Sequence, residues 1–262
     1  MLKRRIVSLK SRTEHPDVAK FKMHTHETYE LFMFLSGDGK YFVEGSVYPL
    51  FSGDILIMKK AEAHSLLLNN SSPYERMVVH FTAEDILSDK RAEILDFLDS
   101  RPLGKYNKFP AASFKDSAWQ YYILKICESD DNAQKQIYLT VLLSELYSAF
   151  PLIKTNEAKQ RNNIIDIINY INAHLTETLS LDKLCATFFI SKAQLNRNFK
   201  RMTGTTVWSY IQTKRLLLAK EMLGQGQNPT KVAASCGFND YCSFFRAYKQ
   251  RFSVSPKNNR GI

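Results

Sequence analysis

The sequence has only four cysteines in 262 residues, and no two of them form a CxxC pair. Cys127, Cys185 and Cys236 stand in strongly apolar surroundings and read as small core residues in a reducing compartment. Neither a disulfide framework nor a zinc–thiolate site is expected. Long hydrophobic runs are also missing: charge interrupts every apolar stretch before the ~18 residues that would span a bilayer. The basic start, MLKRRIVSLK, is not followed by an apolar segment of useful length, so no signal peptide is expected. A cytoplasmic chain with no membrane partner is therefore predicted. The third shortage, of acidic residues, is local. Residues 1–160 carry 21 Lys+Arg and 21 Asp+Glu, whereas residues 161–262 carry 15 and 5. The whole net charge of +10 thus lies in the last stretch. A basic segment beside a neutral one points to a polyanion partner for the second alone.

With 44% hydrophobic and 24% charged residues, the chain can bury two separate cores. The predicted class is α+β multidomain. Residues 1–82 read as a small β-barrel or sandwich. Apolar runs at Tyr29–Leu35, Tyr41–Val43, Val47–Phe51, Ile55–Met58, Ser65–Leu68 and Met77–Phe81 are separated by turn signals such as SGDGK, EG, SGD and NNSSP. Residues 83–150 change to a helical period, at Asp85–Leu98, Phe114–Ser129 and Asn132–Phe150. The last of these carries a stripe of Leu139, Leu142, Leu143, Leu146 and Phe150, which either packs on its own domain or forms a homodimer seam. Residues 151–162 are polar and read as a linker. Beyond it, residues 163–262 are helical, at Asn163–Leu175, Leu181–Phe188, Ser191–Met202, Thr206–Leu223, Thr230–Ser235 and Asp240–Phe252.

This basic half contains a duplication. LCATFFIS (184–191) lies over VAASCGFN (232–239) at an offset of 48, and RNFK (197–200) over RAYK (246–249) at 49. Each copy reads as a short helix, a turn, a capping Ser191 or Asn239, and a basic amphipathic helix. These are helix-turn-helix units at about 181–202 and 230–252. Gly237 suits positive φ in the second turn. Leu195, Phe199 and Met202 in one copy, and Phe244, Tyr248 and Phe252 in the other, are the expected core faces. Ala193, Asn196, Arg197 and Lys200, then Asn239, Cys242, Arg246 and Lys249, fall on the other side, and Arg201 is a further candidate DNA contact. Guanidinium and amide groups there suit base edges, with Lys and Arg suiting phosphates. If Thr206–Leu223 is one helix, it spans roughly 27 Å and can hold the two recognition helices about one DNA turn, roughly 34 Å, apart.

Residues 163–260 resemble the DNA-binding domain of the AraC/XylS family of bacterial transcription regulators. The likeness rests on L-x-x-L-C (181–185), S-x-x-x-L-x-R-x-F-K-x-x-T-G (191–204), G-F-N-D (237–240), F-F-R-A-Y-K (244–249) and S-P (255–256). It departs at Ser253, where the family usually has glycine, and at Asn259, where an aromatic is usual. The resemblance implies base contacts from Ala193, Asn196 and Arg197, then from Tyr241, Cys242 and Arg246. It also implies promoter DNA and RNA polymerase as partners, an activating role, a homodimer and a small-molecule effector, with carbohydrate as the suggested class.

The N-terminal half carries H-x-H-x₃-E-x₆-G with a later histidine: His24, His26, Glu30, Gly37 and His64. This resembles the two motifs of the cupin superfamily, with Lys59 and Ala61 replacing the usual proline and glycine of the second. His24, His26, Glu30 and His64 can bind effector, or hold a divalent Zn, Fe, Mn or Ni ion; no cofactor is required by the sequence. Lys59–Lys60 reads as a solvated turn or an anion contact, and Lys3–Arg12 as an arm over the barrel or a free segment. The rival to a regulator is a cupin enzyme fused to a DNA-binding tail, with the same four residues as ligands. A lack of any separate acid–base residue favours the non-enzyme reading. A third reading gives the barrel dimerisation alone.

Overall fold

The computed structural model describes residues 6–17, 21, 23–156 and 163–259. Its contacts divide the chain into two units, Met1–Gln160 and Arg161–Ile262.

The first unit contains strands β1 (Val7–Thr13), β2 (Tyr29–Ser36), β3 (Gly39–Val43), β4 (Ser46–Pro49), β5 (Ile55–Met58), β6 (His64–Leu68) and β7 (Tyr74–Phe81). Helix α1 (Ser88–Ser100), the short β8 (Lys108–Phe109), α2 (Trp119–Glu128) and α3 (Asn132–Asn156) follow. Five strands form one sheet in the order β1-β7-β2-β5-β8, and three form another in the order β4-β3-β6. The near-continuous apolar run YELFMF in β2 is explained by burial on both faces. Alternation sends Tyr29, Leu31 and Met33 toward a core shared with Ile94 and Phe97 of α1, Ile123 of α2 and Leu139 and Leu143 of α3. Phe32 and Phe34 face the other way, into a second core with Tyr41 and Val43 of β3 and Leu66 and Leu68 of β6. The unit is therefore layered: helices, the five-stranded sheet, then the three-stranded sheet.

This corrects the expected barrel. Among the described residues no strand pairing closes the two sheets on each other: one sheet ends at β1 and β8, the other at β4 and at β6, beyond which there is only a single bridge, His24 to His64. The segment read as a basic arm is part of the sheet from Val7, paired antiparallel with β7; residues 1–5 lie outside the described set. The linker is shorter than expected, since α3 continues through Pro151 to Asn156 and residues 157–162 are outside the described set. Ile153 explains the continuation, as it is 8% exposed within the helix-side core. Over Asn132–Lys154 this helix is long and apolar enough to cross a membrane by length and composition, with mean hydropathy 1.3. Within it, residues 136–153 carry a single charge, Glu145. Its Leu139, Leu142, Leu143 and Leu146 are all fully buried, which makes it a core helix of this unit.

Among the described residues, the second unit holds six α-helices, α4 (Asn163–Ala173), α5 (Leu181–Phe188), α6 (Lys192–Thr203), α7 (Val207–Gly224), α8 (Pro229–Ser235) and α9 (Tyr241–Phe252), and a 3-10 turn at Pro256–Asn259. Leu184, Leu195, Phe199 and Tyr210 are buried in its first half. In its second half, Leu216, Ala219 and Leu223 of α7 pack with Val232, Ala233, Phe244 and Tyr248.

Candidate functional site

In the helical unit, the pairs α5–α6 and α8–α9 share one hydrogen-bond plan. In the first turn Phe189 adopts φ +52°, and the next N–H, from Ile190, donates to Cys185 O at 3.1 Å. In the second turn Gly237 adopts φ +82°, and the Phe238 N–H donates to Ala233 O at 3.0 Å. Both are left-handed helix ends that satisfy otherwise orphaned carbonyls. Ser191 Oγ accepts from the Gln194 N–H at 3.2 Å, as expected for the cap of α6. The cap of α9 is a correction. Asp240 Oδ1 accepts from the Ser243 N–H at 2.7 Å, and Asn239 lies one residue outside the helix. The slip from offset 48 to 49 therefore falls between Phe238 and the cap. The Ser243 amide holds the Asp240 carboxyl below its ordinary range, and its charge suits the positive end of the helix.

The second helix of each pair divides into a buried and an exposed face, with changes at Met202, Phe252 and Tyr241. Leu195 and Phe199 are fully buried, but Thr203, not Met202, completes the buried face of α6, and Met202 is half-buried. Ala193, Asn196, Arg197, Lys200 and Arg201 are all exposed. In α9, Phe244 and Tyr248 are fully buried and Phe252 half-buried, while Cys242, Arg246 and Lys249 are exposed. Tyr241 is half-buried, its ring 5.9 Å from that of Phe244 and 6.2 Å from that of Phe245. It shares the inner edge of the helix more than its open face.

In the sheet unit, four sequence-separated residues converge. Glu30 alternates with Tyr29 and Leu31 and so lies on the inner face of the five-stranded sheet, 3% exposed. His24 forms an isolated antiparallel bridge with His64, with mutual N–H to carbonyl bonds of 3.0 Å, which brings the first motif beside β6. The ligand atoms of His24, His26, Glu30 and His64 all lie within 4.8 Å of one another. His26 Nε2 is 2.9 Å from Glu30 Oε2, and the Tyr41 hydroxyl donates to Glu30 Oε1 at 3.2 Å. His64 is 1% exposed; its Nδ1 is 2.7 Å from the Glu62 carbonyl, which fixes the ring. Its Nε2 is 3.4 Å from Glu30 Oε2 but not aligned for a hydrogen bond, a buried polar atom without such a partner.

The sequence reading missed His80. It lies directly across from Glu30 in the β2–β7 register, with Nε2 3.8 Å from Glu30 Oε2 and its ring 4.4 Å from that of His26. Three imidazoles thus surround one buried carboxylate. Burial alone would raise the Glu30 carboxyl, but the His26 contact and the nearby His64 and His80 hold it well below the ordinary range. Burial pushes His80 down, whereas Glu30 overcomes burial at His64 and raises it. Lys59 is half-buried, and its Nζ donates to the carbonyls of Asp99 (3.2 Å) and Arg101 at the end of α1, which occupies it in holding the backbone. Lys60 sits over the Tyr29 ring at 4.9 Å.

Each unit matches a known family. The AraC-like ligand binding domain matches residues 12–105, and a helix-turn-helix domain matches residues 184–261. The probable transcriptional regulator LumQ of Photobacterium leiognathi is 36% identical over 98 residues, 37% of this chain and 40% of LumQ. The HTH-type transcriptional activator RhaS of Pectobacterium carotovorum is 24% identical over 255 residues, 92% of this chain and 88% of RhaS. Among solved structures, ToxT of Vibrio cholerae covers 97% of both chains at 14% identity and a TM-score of 0.42. With a ligand-binding match in the sheet unit and a helix-turn-helix match in the basic unit, the chain belongs to the AraC/XylS family of DNA-binding transcription regulators.

Proposed function

We propose that the protein is an effector-responsive transcription activator that reads promoter DNA with two helices, α6 and α9. One observation carries this reading. The basic unit holds two helix pairs with the same turn hydrogen bonds, each offering an exposed Arg and Lys opposite a buried apolar face. Asn196 and Arg197 on α6, and Arg246 on α9, would meet base edges, with Lys200, Arg201 and Lys249 near phosphates. Ala193 could meet only a thymine methyl. The name of the RhaS relatives supports activation; contact to RNA polymerase and a cytoplasmic location are what an activator of this family would require. Arg246→Ala is expected to relax base preference, whereas Lys200→Ala weakens binding to all duplexes and flattens the salt dependence by about one counterion. Mobility-shift titrations on specific and scrambled duplexes at two salt concentrations check this. Equal weakening on every duplex by both variants would overturn the assignment.

The effector reading rests on the cluster around Glu30. His24, His26, Glu30 and His64 fit a divalent ion such as Zn, Fe, Mn or Ni, because mixed imidazole and carboxylate donors already converge and a buried imidazole nitrogen faces them. Such an ion would polarise an oxygen of the effector. Without it, the same groups can hydrogen-bond a polyhydroxylated molecule, the carbohydrate class that the family suggests. A thermal-shift screen of sugars and sugar acids, with and without metal, tests both forms, and a turnover screen on any compound that stabilises separates sensor from enzyme. The exposed Ile137, Val141 and Leu152, with Ser144 and Ser148 between them along α3, would form the homodimer seam.

A further inference from the structure

α7 does more than separate the two helix pairs. Arg215 stands in its middle and is 5% exposed, yet its guanidinium faces three backbone carbonyls. Nε donates to Leu175 O at 2.8 Å and Nη2 to Glu177 O at 2.7 Å, both in the segment between α4 and α5. Nη1 donates to Gly237 O at 2.6 Å, in the turn that launches α9. The first two carbonyls belong to the approach to the first helix pair, and Glu177 is further tied to that pair by its ion pair with Lys183 of α5 (3.6 Å). The third belongs to the second pair. A planar fork places its N–H groups on three separate nitrogens, each aimed at its own carbonyl, whereas the three N–H groups of an ammonium diverge from a single atom and cannot reproduce that spread.

Gly237 is shaped to this contact. A Cβ built there would lie 2.8 Å from Arg215 Cζ and 2.9 Å from Nη2, so the turn approaches the guanidinium as closely as a glycine permits. The same α7 is fixed to α4 by the Tyr210 hydroxyl, which donates to Asn172 Oδ1 at 3.0 Å. One buried side chain therefore spans, through hydrogen bonds alone, the entry to one helix pair and the turn of the other.

We propose that Arg215 is the positioning residue that sets the spacing and rotation between α6 and α9, and hence the distance in base pairs between the two DNA segments that they read. It touches no DNA itself. The proposal rests on the two-reader reading above. If that reading holds, removing the fork should leave each reader's base preference intact and loosen only their separation.

The test is selection of bound duplexes from a random double-stranded DNA library by the full chain, followed by sequencing, for wild type, Arg215→Met and Arg215→Lys. Circular dichroism first confirms that each variant is folded. Wild type is expected to enrich two sequence blocks at one fixed spacing. Arg215→Met is expected to enrich the same two blocks over a spread of spacings, and to bind the best wild-type duplex about tenfold more weakly, roughly 1.4 kcal/mol. Arg215→Lys, which keeps the charge but not the fork, should show the same spread. A folded variant that keeps the single wild-type spacing overturns the proposal. If both variants lose helical structure, Arg215 holds the fold and not the spacing, and the proposal again fails. If wild type enriches only one block, the two-reader reading fails first.

Discussion

The two helix pairs build the same backbone with glycine in opposite places. In α5–α6 the turn residue in the left-handed region is Phe189, and glycine closes the second helix at Gly204, φ +72°. In α8–α9 the turn carries Gly237, and the helix closes on Ser253, φ +59°. Identical dihedral demands do not dictate identical residues. Phe189 is 97% exposed, so only the modest strain of a left-handed side chain is felt there. Gly237 meets both that strain and a neighbour, since any Cβ would collide with Arg215. What demands glycine is the contact more than the angle.

Substitutions at the turns should give the largest contrast. Gly237→Ala is expected to cost about 2–4 kcal/mol in urea unfolding, through left-handed strain plus displacement of Arg215. Phe189→Ala, with the same backbone and no neighbour, should change stability by about 0.5 kcal/mol or less. Equal costs at the two positions would break the comparison. The caps come next. Asp240→Ala should cost about 1 kcal/mol, and Asn239→Ala about 0.5 kcal/mol or less, because it is Asp240 that accepts a first-turn amide of α9, that of Ser243. The reverse order would return the cap to Asn239. Smallest is Ser253→Gly, expected to raise stability by about 0.5–1 kcal/mol by relieving its left-handed strain.

Much of this arrangement was legible because the signals are local. Turn residues punctuate the apolar runs that become β2 to β7, and the 3.6-residue period marks α5 to α9. The slip from offset 48 to 49 was visible too, but not where it fell; Asn and Asp both cap helices, and only the Ser243 amide decides between them. Strand β1 was hidden because VSLKSRT is an edge strand whose apolar alternation stops after Val7 and Leu9, both of them exposed, and whose remaining residues are polar. The run of α3 through Pro151 was hidden by the proline, which ordinarily ends a helix; burial of Ile153 outweighs it. His80 required strand register. Its place across from Glu30 follows from β2–β7 pairing, which links positions 50 residues apart with no shared motif. The cluster was legible through its likeness to the two cupin motifs, with His24, His26 and Glu30 close in sequence and His64 after a glycine-marked turn.

The central claim is that α6 and α9 read two separate segments of one duplex. Its most direct test takes the best-bound duplex of the full chain and measures every single-base-pair variant of it against wild type, Arg197→Ala and Arg246→Ala. Each substitution is predicted to abolish discrimination, about 1–3 kcal/mol per base pair, within one block only. The two blocks should differ between the variants and lie about one helical turn apart. If both substitutions flatten the same positions, or neither flattens any, the two-reader account is contradicted.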